Sequence, residues 1–270
     1  MRFALLRGRE HVELGAVEAV AEGRLAFALS RGGAAKRYPH SDPNEDAAAF
    51  ALGSEGSCAA VADGHGGAEA AEIALLHLFA EPVAQWTDAP GPLDASSWRR
   101  QVLAALSDAN RDVRRERSPR GERGARTTLG LAVVLPSRGL LLSAAVGDSH
   151  LFVVDAEGAV RELTTARSTV GFLGDAYEGP EELASITRIA TEPLAGLRAA
   201  VLVTDGLSER GIGVVNPMAA VKEAVRSAER ARTGSRGLRL ARGLIDAALE
   251  AHRRNRSGDN VAVAALWLSE

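Results

Sequence analysis

Short runs of apolar, β-prone residues constrain the fold of this 270-residue chain most strongly. Several of these runs lack the alternation of polar and apolar residues that a half-exposed strand shows, so we expect strands buried on both faces. The nine predicted strands are Phe3–Leu6, Leu25–Leu29, Ala47–Leu52, Cys58–Ala62, Leu129–Leu135, Leu140–Val146, Leu151–Val154, Ala199–Thr204 and Val261–Leu268.

Four longer segments have helical periodicity, two of them early and two late in the chain. These segments are Ala68–Phe79, Ser97–Arg117, Pro217–Arg232 and Arg236–Arg253. In the second helix, Trp98, Val102, Leu106 and Val113 mark the buried face. Two apolar sheets need helices on their outer faces, which favours an α+β fold in four layers, although the pattern alone also suits other α+β packings. No linker rich in Pro, Gly or Ser divides the chain, so we expect residues 1–270 to form a single domain.

Composition narrows the compartment and the partners that we expect for the protein. The one cysteine, Cys58, lies in an apolar run and cannot form an internal disulfide, which fits a buried thiol in a cytosolic protein. The chain has no apolar stretch long enough to span a bilayer and no signal-peptide pattern, so we expect no membrane association. A formal net charge of −3 gives no general attraction to nucleic acid.

Acidic residues stand at the ends of the apolar runs, and they are the main clue to function. A carboxylate at the edge of a buried layer is costly unless it is paired, hydrogen-bonded or bound to a metal. Oxygen ligands suit Mg²⁺ and Mn²⁺, so the pattern suggests a shared cation site. Taken singly, each Asp-Gly or Asp-Asn is also an ordinary turn. The acidic residues are Glu45, Asp46, Asp63, Asp148, Asp205 and Asp259.

The order of these motifs resembles one family. They occur as Pro43–Asp46, Val61–Gly67, Thr127–Gly130, Ala145–Ser149, Val203–Ser208 and Ser257–Asn260. From about Ser41 to Leu268 the chain resembles the PPM-type, or type 2C, metal-dependent phosphatases. The resemblance implies a four-layer αββα sandwich of two antiparallel sheets flanked by helices, in one PPM-type domain. It also implies hydrolysis of phosphoserine and phosphothreonine in proteins by a metal-activated water, with two Mg²⁺ or Mn²⁺ ions and room for a third.

The same resemblance assigns roles to individual residues. Asp63 is expected to bridge two ions, with the Gly64 carbonyl and Glu45 on one ion. Asp205 and Asp259 are expected on the other ion.

Further roles lie around these ligands. Asp46 and Asn260 are expected to hold the ligands in place. His65, which follows the bridging aspartate, is the candidate general acid because imidazole titrates near neutral pH. Asp148 is expected at the third metal position; alternatively, Gly147-Asp148-Ser149 only turns a hairpin.

Three segments depart from the family pattern or lie outside it. Family members commonly place a phosphate-binding arginine shortly before Asn44, where this chain has Ser41, Asp42 and Pro43. Arg31, Lys36 and Arg37 are the nearby substitutes, and no spacing rule selects one, so the phosphate-binding residue is unassigned. The segment 169–179, with Phe172, Asp175 and Tyr177, is either a mobile lid or a plain surface loop. The arginine-rich stretch 114–126 is expected to be an exposed connector, or alternatively a docking patch for an acidic partner.

The leading interpretation is a cytosolic phosphoprotein phosphatase that opposes a protein kinase or acts on the kinase itself. Two alternatives stay open at this point. One is a weak or inactive phosphoprotein-binding regulator, against which the intact acidic set argues. The other is a phosphatase acting on a small phosphorylated metabolite, which the missing arginine makes easier to accommodate.

Overall fold

All nine predicted strands are present in the structure, a computed structural model that describes residues 1–89, 91, 93–115, 124–164 and 171–269. Four further strands were not predicted: β2, β6, β10 and β11. In chain order the strands are β1 (Arg2–Arg7), β2 (Glu18–Glu22), β3 (Leu25–Ser30), β4 (Asp46–Leu52), β5 (Ser57–His65), β6 (Arg126–Thr127), β7 (Leu129–Leu135), β8 (Leu140–Val146), β9 (His150–Asp155), β10 (Val160–Glu162), β11 (Thr187–Pro193), β12 (Leu197–Val203) and β13 (Val261–Trp267).

The strands form two antiparallel sheets. The first sheet has the order β1-β4-β5-β7-β8-β11, with the short strand β6 attached to β5. The second sheet has the order β10-β9-β12-β13-β3-β2. Because β8 and β9 belong to different sheets, the Gly147-Asp148-Ser149 segment between them crosses from one sheet to the other. The hairpin alternative for this segment was therefore wrong.

Helices cover the outer face of each sheet. They are α1 (Glu69–Ala80), α2 (Pro82–Thr87), α3 (Ala95–Arg115), α4 (Gly179–Ile186), α5 (Pro217–Glu229) and α6 (Arg236–Asn255). The four predicted helices correspond to α1, α3, α5 and α6, whereas α2 and α4 were not predicted. Residues 116 and 117 of the second predicted helix lie outside the described residues. The four marker residues of its apolar face are all buried.

Three apolar layers fill the molecule, and they explain why the strands are so uniformly apolar. One layer lies between the first sheet and α1 to α4, and another lies between the second sheet and α5 and α6. The third layer joins the two sheets, with Phe27 of β3 and Phe50 of β4 in edge-to-face contact at a ring-centroid distance of 5.1 Å. Successive residues of one strand therefore point into two different cores. This arrangement confirms the predicted αββα sandwich.

The strand boundaries bring the acidic residues to one end of the sandwich. The predicted strand Cys58–Ala62 ended before Asp63, but the observed strand β5 continues to His65 and therefore includes Asp63. Asp46 begins β4 and is the cross-strand partner of Asp63. Asp205 follows β12 and Asp259 precedes β13, which pair antiparallel, so these two residues also meet at the same end. Cys58 is buried in β5 and its thiol is free. Across the described residues, no helix combines the length and apolar character that crossing a membrane requires.

Candidate metal centre and active site

Asp63 is held rigidly by two threonines that follow the arginine-rich stretch. The Asp63 amide donates to Thr128 Oγ1 at 3.0 Å, and the Asp63 carbonyl accepts from Thr127 Oγ1 at 2.9 Å. The same carbonyl also accepts from the Thr128 amide at 3.0 Å. Thr128 Oγ1 lies 2.8 Å from Ser149 Oγ, which ties the sheet crossover to this network. The backbone of Asp63 is thus fixed by hydrogen bonds that do not involve its own side chain.

Carboxylates from three separate segments converge around Asp63. One oxygen each of Asp63, Asp148 and Asp205 lie within 4.8 Å of one another. Burial raises the pKa of Asp63 well above its ordinary value, and the negative charges of Asp205, Asp46 and Asp259 raise it further. Burial likewise raises the pKa of Asp205, with Asp259 and Asp148 as the next causes. The protein alone therefore does not neutralise this cluster.

Within the acidic cluster, two buried carboxylate oxygens have no hydrogen-bond partner among the described residues. They are Oδ1 of Asp46 and Oδ1 of Asp148. Asp46 uses its other oxygen to accept from Thr204 Oγ1 at 2.7 Å. Burial, followed by the charge of Asp259, raises the pKa of Asp46 to about 7. Because an unpartnered buried carboxylate oxygen is costly and all the donors are hard oxygens, the residues present fit Mg²⁺ or Mn²⁺.

One ammonium group reaches the acidic cluster. Lys36 Nζ lies 3.3 Å from Glu45 Oε2 and 3.5 Å from Asp259 Oδ1, and its side chain is 5% exposed. Burial lowers the pKa of Lys36, but the negative charges of Asp259, Glu45, Asp46 and Asp63 together outweigh this effect, so the pKa is raised and the amine stays charged. Tyr38 also donates its hydroxyl to Asp259 Oδ1. Of the three basic substitutes considered, Lys36 faces the acids, whereas Arg31 donates to the Val12 carbonyl and Arg37 is exposed.

Asn260 joins three segments around the cluster. Its Oδ1 accepts from the Glu45 amide at 2.8 Å, and its Nδ2 donates to the carbonyls of Arg31 and Pro43. The side chain of Glu45 points toward the loop side of the site, where Oε1 accepts from the Gly67 amide at 2.7 Å. Asn260 therefore holds the loop that carries Glu45 through its hydrogen bonds to Pro43 and Glu45.

A buried histidine supports the loop that carries Asp205. His252 of α6 is fully buried, and its Nε2 lies 2.7 Å from the Gly206 carbonyl. Its Nδ1 accepts from the Gly33 amide at 3.2 Å, which fixes the neutral ring with the proton on Nε2. Gly206 itself is packed so closely that a Cβ would lie 1.8 Å from the Asn260 carbonyl oxygen.

His65 stands at the open edge of the cluster. Its Nδ1 lies 3.9 Å from Asp63 Oδ1, and 36% of its side chain is exposed. Its ring packs against Phe172 with 4.8 Å between centroids. The guanidinium of Arg126 lies over the same phenyl ring, 4.3 Å from its centroid. A cleft of about 600 Å³ opens here, bounded by His65, Arg126 and Asp175.

The structure brings together five of the predicted acidic residues: Asp46, Asp63, Asp148, Asp205 and Asp259. Glu45 adjoins this group through Lys36, and Gly64 lies in β5 between Asp63 and His65. The sequence had assigned no individual role to Thr127, Thr128, Tyr38 or His252, and it had considered Arg126 only as the last residue of the arginine-rich stretch 114–126. The two threonines had a sequence signal, namely their place in the Thr127–Gly130 motif.

The segment 169–179 is described from residue 171 onward. Asp175 Oδ2 accepts from the Phe172 amide at 3.2 Å, and the loop packs against α3 through Asn110. The Asp175 carboxylate therefore points to its own loop and to Arg126. Residues 116–123 of the arginine-rich stretch lie outside the described residues.

Comparison with known proteins agrees with this geometry. The family model for protein phosphatase 2C matches residues 34–251. The catalytic domain of the serine threonine protein phosphatase PstP, solved with two manganese ions, superimposes with a TM-score of 0.61 at 19% identity, covering 94% of this chain and 100% of that one. Stp1 from Staphylococcus aureus gives 0.65 at 17% identity over 96% and 98% of the two chains. The S. agalactiae serine/threonine phosphatase gives 0.65 at 18% identity over 94% and 100%. No curated protein sequence matches the chain.

At these identities the solved structures establish the fold, and the family match establishes the family. The chain belongs to the protein phosphatase 2C family. It is a metal-dependent protein serine/threonine phosphatase that uses Mg²⁺ or Mn²⁺.

Proposed function

We propose that the acidic end of the sandwich is a two-metal catalytic centre with a third, weaker position. The observation that carries this proposal is the convergence of Asp63, Asp148 and Asp205 in a site where two buried carboxylate oxygens lack partners. Asp63, Asp205 and Asp259 are assigned as ligands, with Asp148 at the third position.

The remaining ligands come from the segments next to Asp63. We assign the Gly64 carbonyl and Glu45 to the same ion. The two manganese ions bound to PstP support two ions in this chain. When bound, the ions supply charge neutralisation and an acidified water.

The surrounding residues hold this ligand set in place. Asn260 fixes the Glu45 backbone, and Asp46 is itself fixed by Thr204. His252 fixes the loop after Asp205 through the Gly206 carbonyl. These contacts determine the orientation of the ligands, so we expect their loss to weaken metal binding.

His65 is the proton donor for the leaving group in this proposal. Its position at the cleft edge, 3.9 Å from Asp63 and partly exposed, allows it to reach the leaving oxygen and exchange protons with solvent. A serine alkoxide is a poor leaving group and needs a proton, whereas p-nitrophenolate leaves without one. His65→Asn should therefore lower kcat on a phosphoserine peptide by about 100-fold while changing p-nitrophenyl phosphate hydrolysis much less. An equal loss on both substrates would contradict the role of proton donor.

Lys36 is the basic group that we assign to the substrate phosphoryl group. Its amine already lies among the carboxylates, and it is charged at neutral pH. A lysine offers a single point of positive charge rather than the two-pronged contact of an arginine. We expect weaker binding of the phosphoryl group than an arginine would give.

The substrate class follows from the family: phosphorylated serine and threonine in proteins. We further propose that the phosphatase opposes a protein kinase in cytoplasmic signalling, with a kinase substrate or the kinase itself as its target. We also propose that residues 1–270 act as a single catalytic domain. The free, buried Cys58 supports a reducing compartment.

Hydrolysis of a phosphoserine peptide tests the centre directly. The assay compares wild type with Asp63→Asn and Asp259→Asn, in added Mn²⁺ and in chelator. Asp246→Asn is the matched control, because Asp246 is an exposed aspartate on α6 that undergoes the same chemical change. We expect loss of turnover in chelator and in both site variants, with the control unchanged. Metal-independent turnover, or turnover in Asp63→Asn equal to wild type, would refute the mechanism.

Asp148→Ala tests the third position. We expect lower activity while the two main ions still bind, as counted by equilibrium dialysis. Full activity in this variant would count against a third site.

A further inference from the structure

Arg126 is placed beside the catalytic edge by the pairing of two strands. In the short ladder between β5 and β6, His65 is directly opposite Arg126, and Gly64 is opposite Thr127. Directly opposed residues of an antiparallel pair project from the same face of the sheet. Arg126 and the candidate proton donor His65 therefore share one face.

Phe172 fixes the position of the Arg126 guanidinium. The centroid of the Phe172 ring lies 4.8 Å from the centroid of the His65 ring and 4.3 Å from Cζ of Arg126. A cation-π contact of this kind involves no N–H hydrogen bond to a carboxylate or phosphate, so the guanidinium can also bind an anion. The arginine and the candidate proton donor thus contact the same aromatic ring.

Among the described residues, the guanidinium of Arg126 has no carboxylate closer than 4.0 Å. Within the described part of the chain, its one carboxylate neighbour is Asp175, with Nη1 and Oδ1 at 4.0 Å, which is the outer limit of an ion pair. Asp175 also accepts from the Phe172 amide, so this carboxylate is partly engaged by its own loop. The Arg126 side chain is 46% exposed, and it borders the 600 Å³ cleft that begins at His65.

We propose that Arg126 and Phe172 form a substrate subsite that binds an acidic side chain one or two residues away from the phosphorylated residue. This inference rests on the proposed function, because it takes the scissile phosphoryl group to lie at His65. An extended peptide advances about 3.3 Å per residue, so the side chain of a residue one or two positions from the phosphorylated residue can reach Arg126, whose guanidinium contacts the same phenyl ring as His65. The anion is a carboxylate or a second phosphate, and both match the planar fork of arginine.

Its location favours this role over contact with the scissile phosphoryl group. Among the described residues, the carboxylate near the guanidinium is Asp175, which lies outside the acidic cluster, whereas Lys36 lies within the cluster. The cleft walls beside Arg126 include Gly66, Gly124 and Gly174, which leave room for a peptide backbone. The preference for acidic substrates is thus separate from phosphoryl binding.

The test compares kcat/KM on four substrates in saturating Mn²⁺. Three are phosphoserine peptides of one sequence, flanked by Ala, by Asp or by a second phosphoserine. The fourth is p-nitrophenyl phosphate, which has no flanking residue. For wild type we expect the Asp-flanked and doubly phosphorylated peptides to exceed the Ala-flanked peptide by about five- to tenfold. This preference should decline as salt is raised.

Variants then assign the preference to Arg126. Arg126→Ala should remove it while leaving p-nitrophenyl phosphate and the Ala-flanked peptide within about twofold of wild type. Arg126→Lys should keep part of it, because a point charge remains. Arg99→Ala is the matched control: Arg99 is an exposed arginine on α3, and the variant should keep the full preference. An equal loss on all four substrates, or an unchanged preference in Arg126→Ala, would overturn the proposal.

A binding measurement separates this inference from the proposed function. Fluorescence anisotropy with non-hydrolysable phosphonate versions of the same peptides reports binding without turnover. If p-nitrophenyl phosphate is hydrolysed but acidic peptides bind no better than the Ala peptide, the subsite is refuted and the phosphatase stands. If no substrate is hydrolysed but acidic peptides bind in an Arg126-dependent manner, the catalytic assignment fails and the subsite stands.

Discussion

Asn260→Ala should destabilise the fold and weaken metal binding together. The buried Asn260 side chain accepts from the Glu45 amide at 2.8 Å and donates to the carbonyls of Arg31 and Pro43 at 3.1 Å and 3.0 Å. A hydrogen bond of this kind contributes about 1 kcal/mol net, and a stranded buried partner adds to the loss. We expect the free energy of unfolding to fall by about 3 kcal/mol. Because Glu45 loses its anchor, Mn²⁺ affinity should fall by about tenfold or more.

A second buried asparagine provides the control for this prediction. Asn110 of α3 also makes three hydrogen bonds: it accepts from the Gly174 amide at 2.6 Å and donates to the carbonyls of Tyr177 and Asp175. Asn110→Ala should therefore cost a similar free energy of unfolding, while Mn²⁺ affinity stays within about twofold of wild type. Chemical denaturation gives the stabilities, and isothermal titration of chelator-treated protein gives the affinities. An Asn260→Ala protein that binds Mn²⁺ as tightly as Asn110→Ala would refute the assigned role.

Three further predictions follow from the site. Gly206→Ala should reduce the free energy of unfolding by about 3 kcal/mol or more, measured by urea denaturation, because the new Cβ would meet the Asn260 carbonyl at 1.8 Å; a loss below about 1 kcal/mol would contradict this packing. In chelator, the melting temperature should fall as pH rises from about 4 to about 7: the pKa of Asp46 is raised from 3.8 to about 7, so its protonated form stabilises the fold fully below the lower value, and this stabilisation is lost by the upper one. Added Mn²⁺ should offset that fall, and a metal-free melting temperature that rises over this range would contradict the charge repulsion. Lys36→Met should raise KM for a phosphoserine peptide by about tenfold, and an unchanged KM would exclude Lys36 from phosphoryl binding.

The fold was largely predictable because most of its strands are buried on both faces. Such strands are nearly continuous apolar runs, as in Leu129–Leu135, and these are easy to recognise. The strands that were missed include the outermost strands β2, β10 and β11. Thr187–Pro193 of β11, for example, is mostly only half-buried, so charged and polar residues interrupt its apolar pattern. The short helix α2 contains Pro82 at its start and had too few residues for a periodic signal.

The residues of the site also differ in how far the sequence could predict them. Asp63, Asp205 and Asp259 adjoin apolar strands, so their meeting at one end follows from strand order and pairing. Lys36 belongs to a loop without a periodic pattern, and only the folded chain brings its amine to Glu45.

The position of Arg126 beside His65 was equally unpredictable from the sequence. It ends the arginine-rich stretch, which the sequence treated as one unit, and its importance comes from a two-residue strand pairing. No spacing along the chain indicates that it shares a face with His65.

The most direct test of the two-metal centre is a titration of chelator-treated protein with Mn²⁺ while both bound metal and phosphoserine-peptide hydrolysis are measured. We predict that activity appears as two Mn²⁺ ions bind per chain, and that Asp63→Asn binds fewer ions and stays inactive. Full activity with no bound metal, or an Asp63→Asn protein that binds two ions and turns over like wild type, would contradict the account.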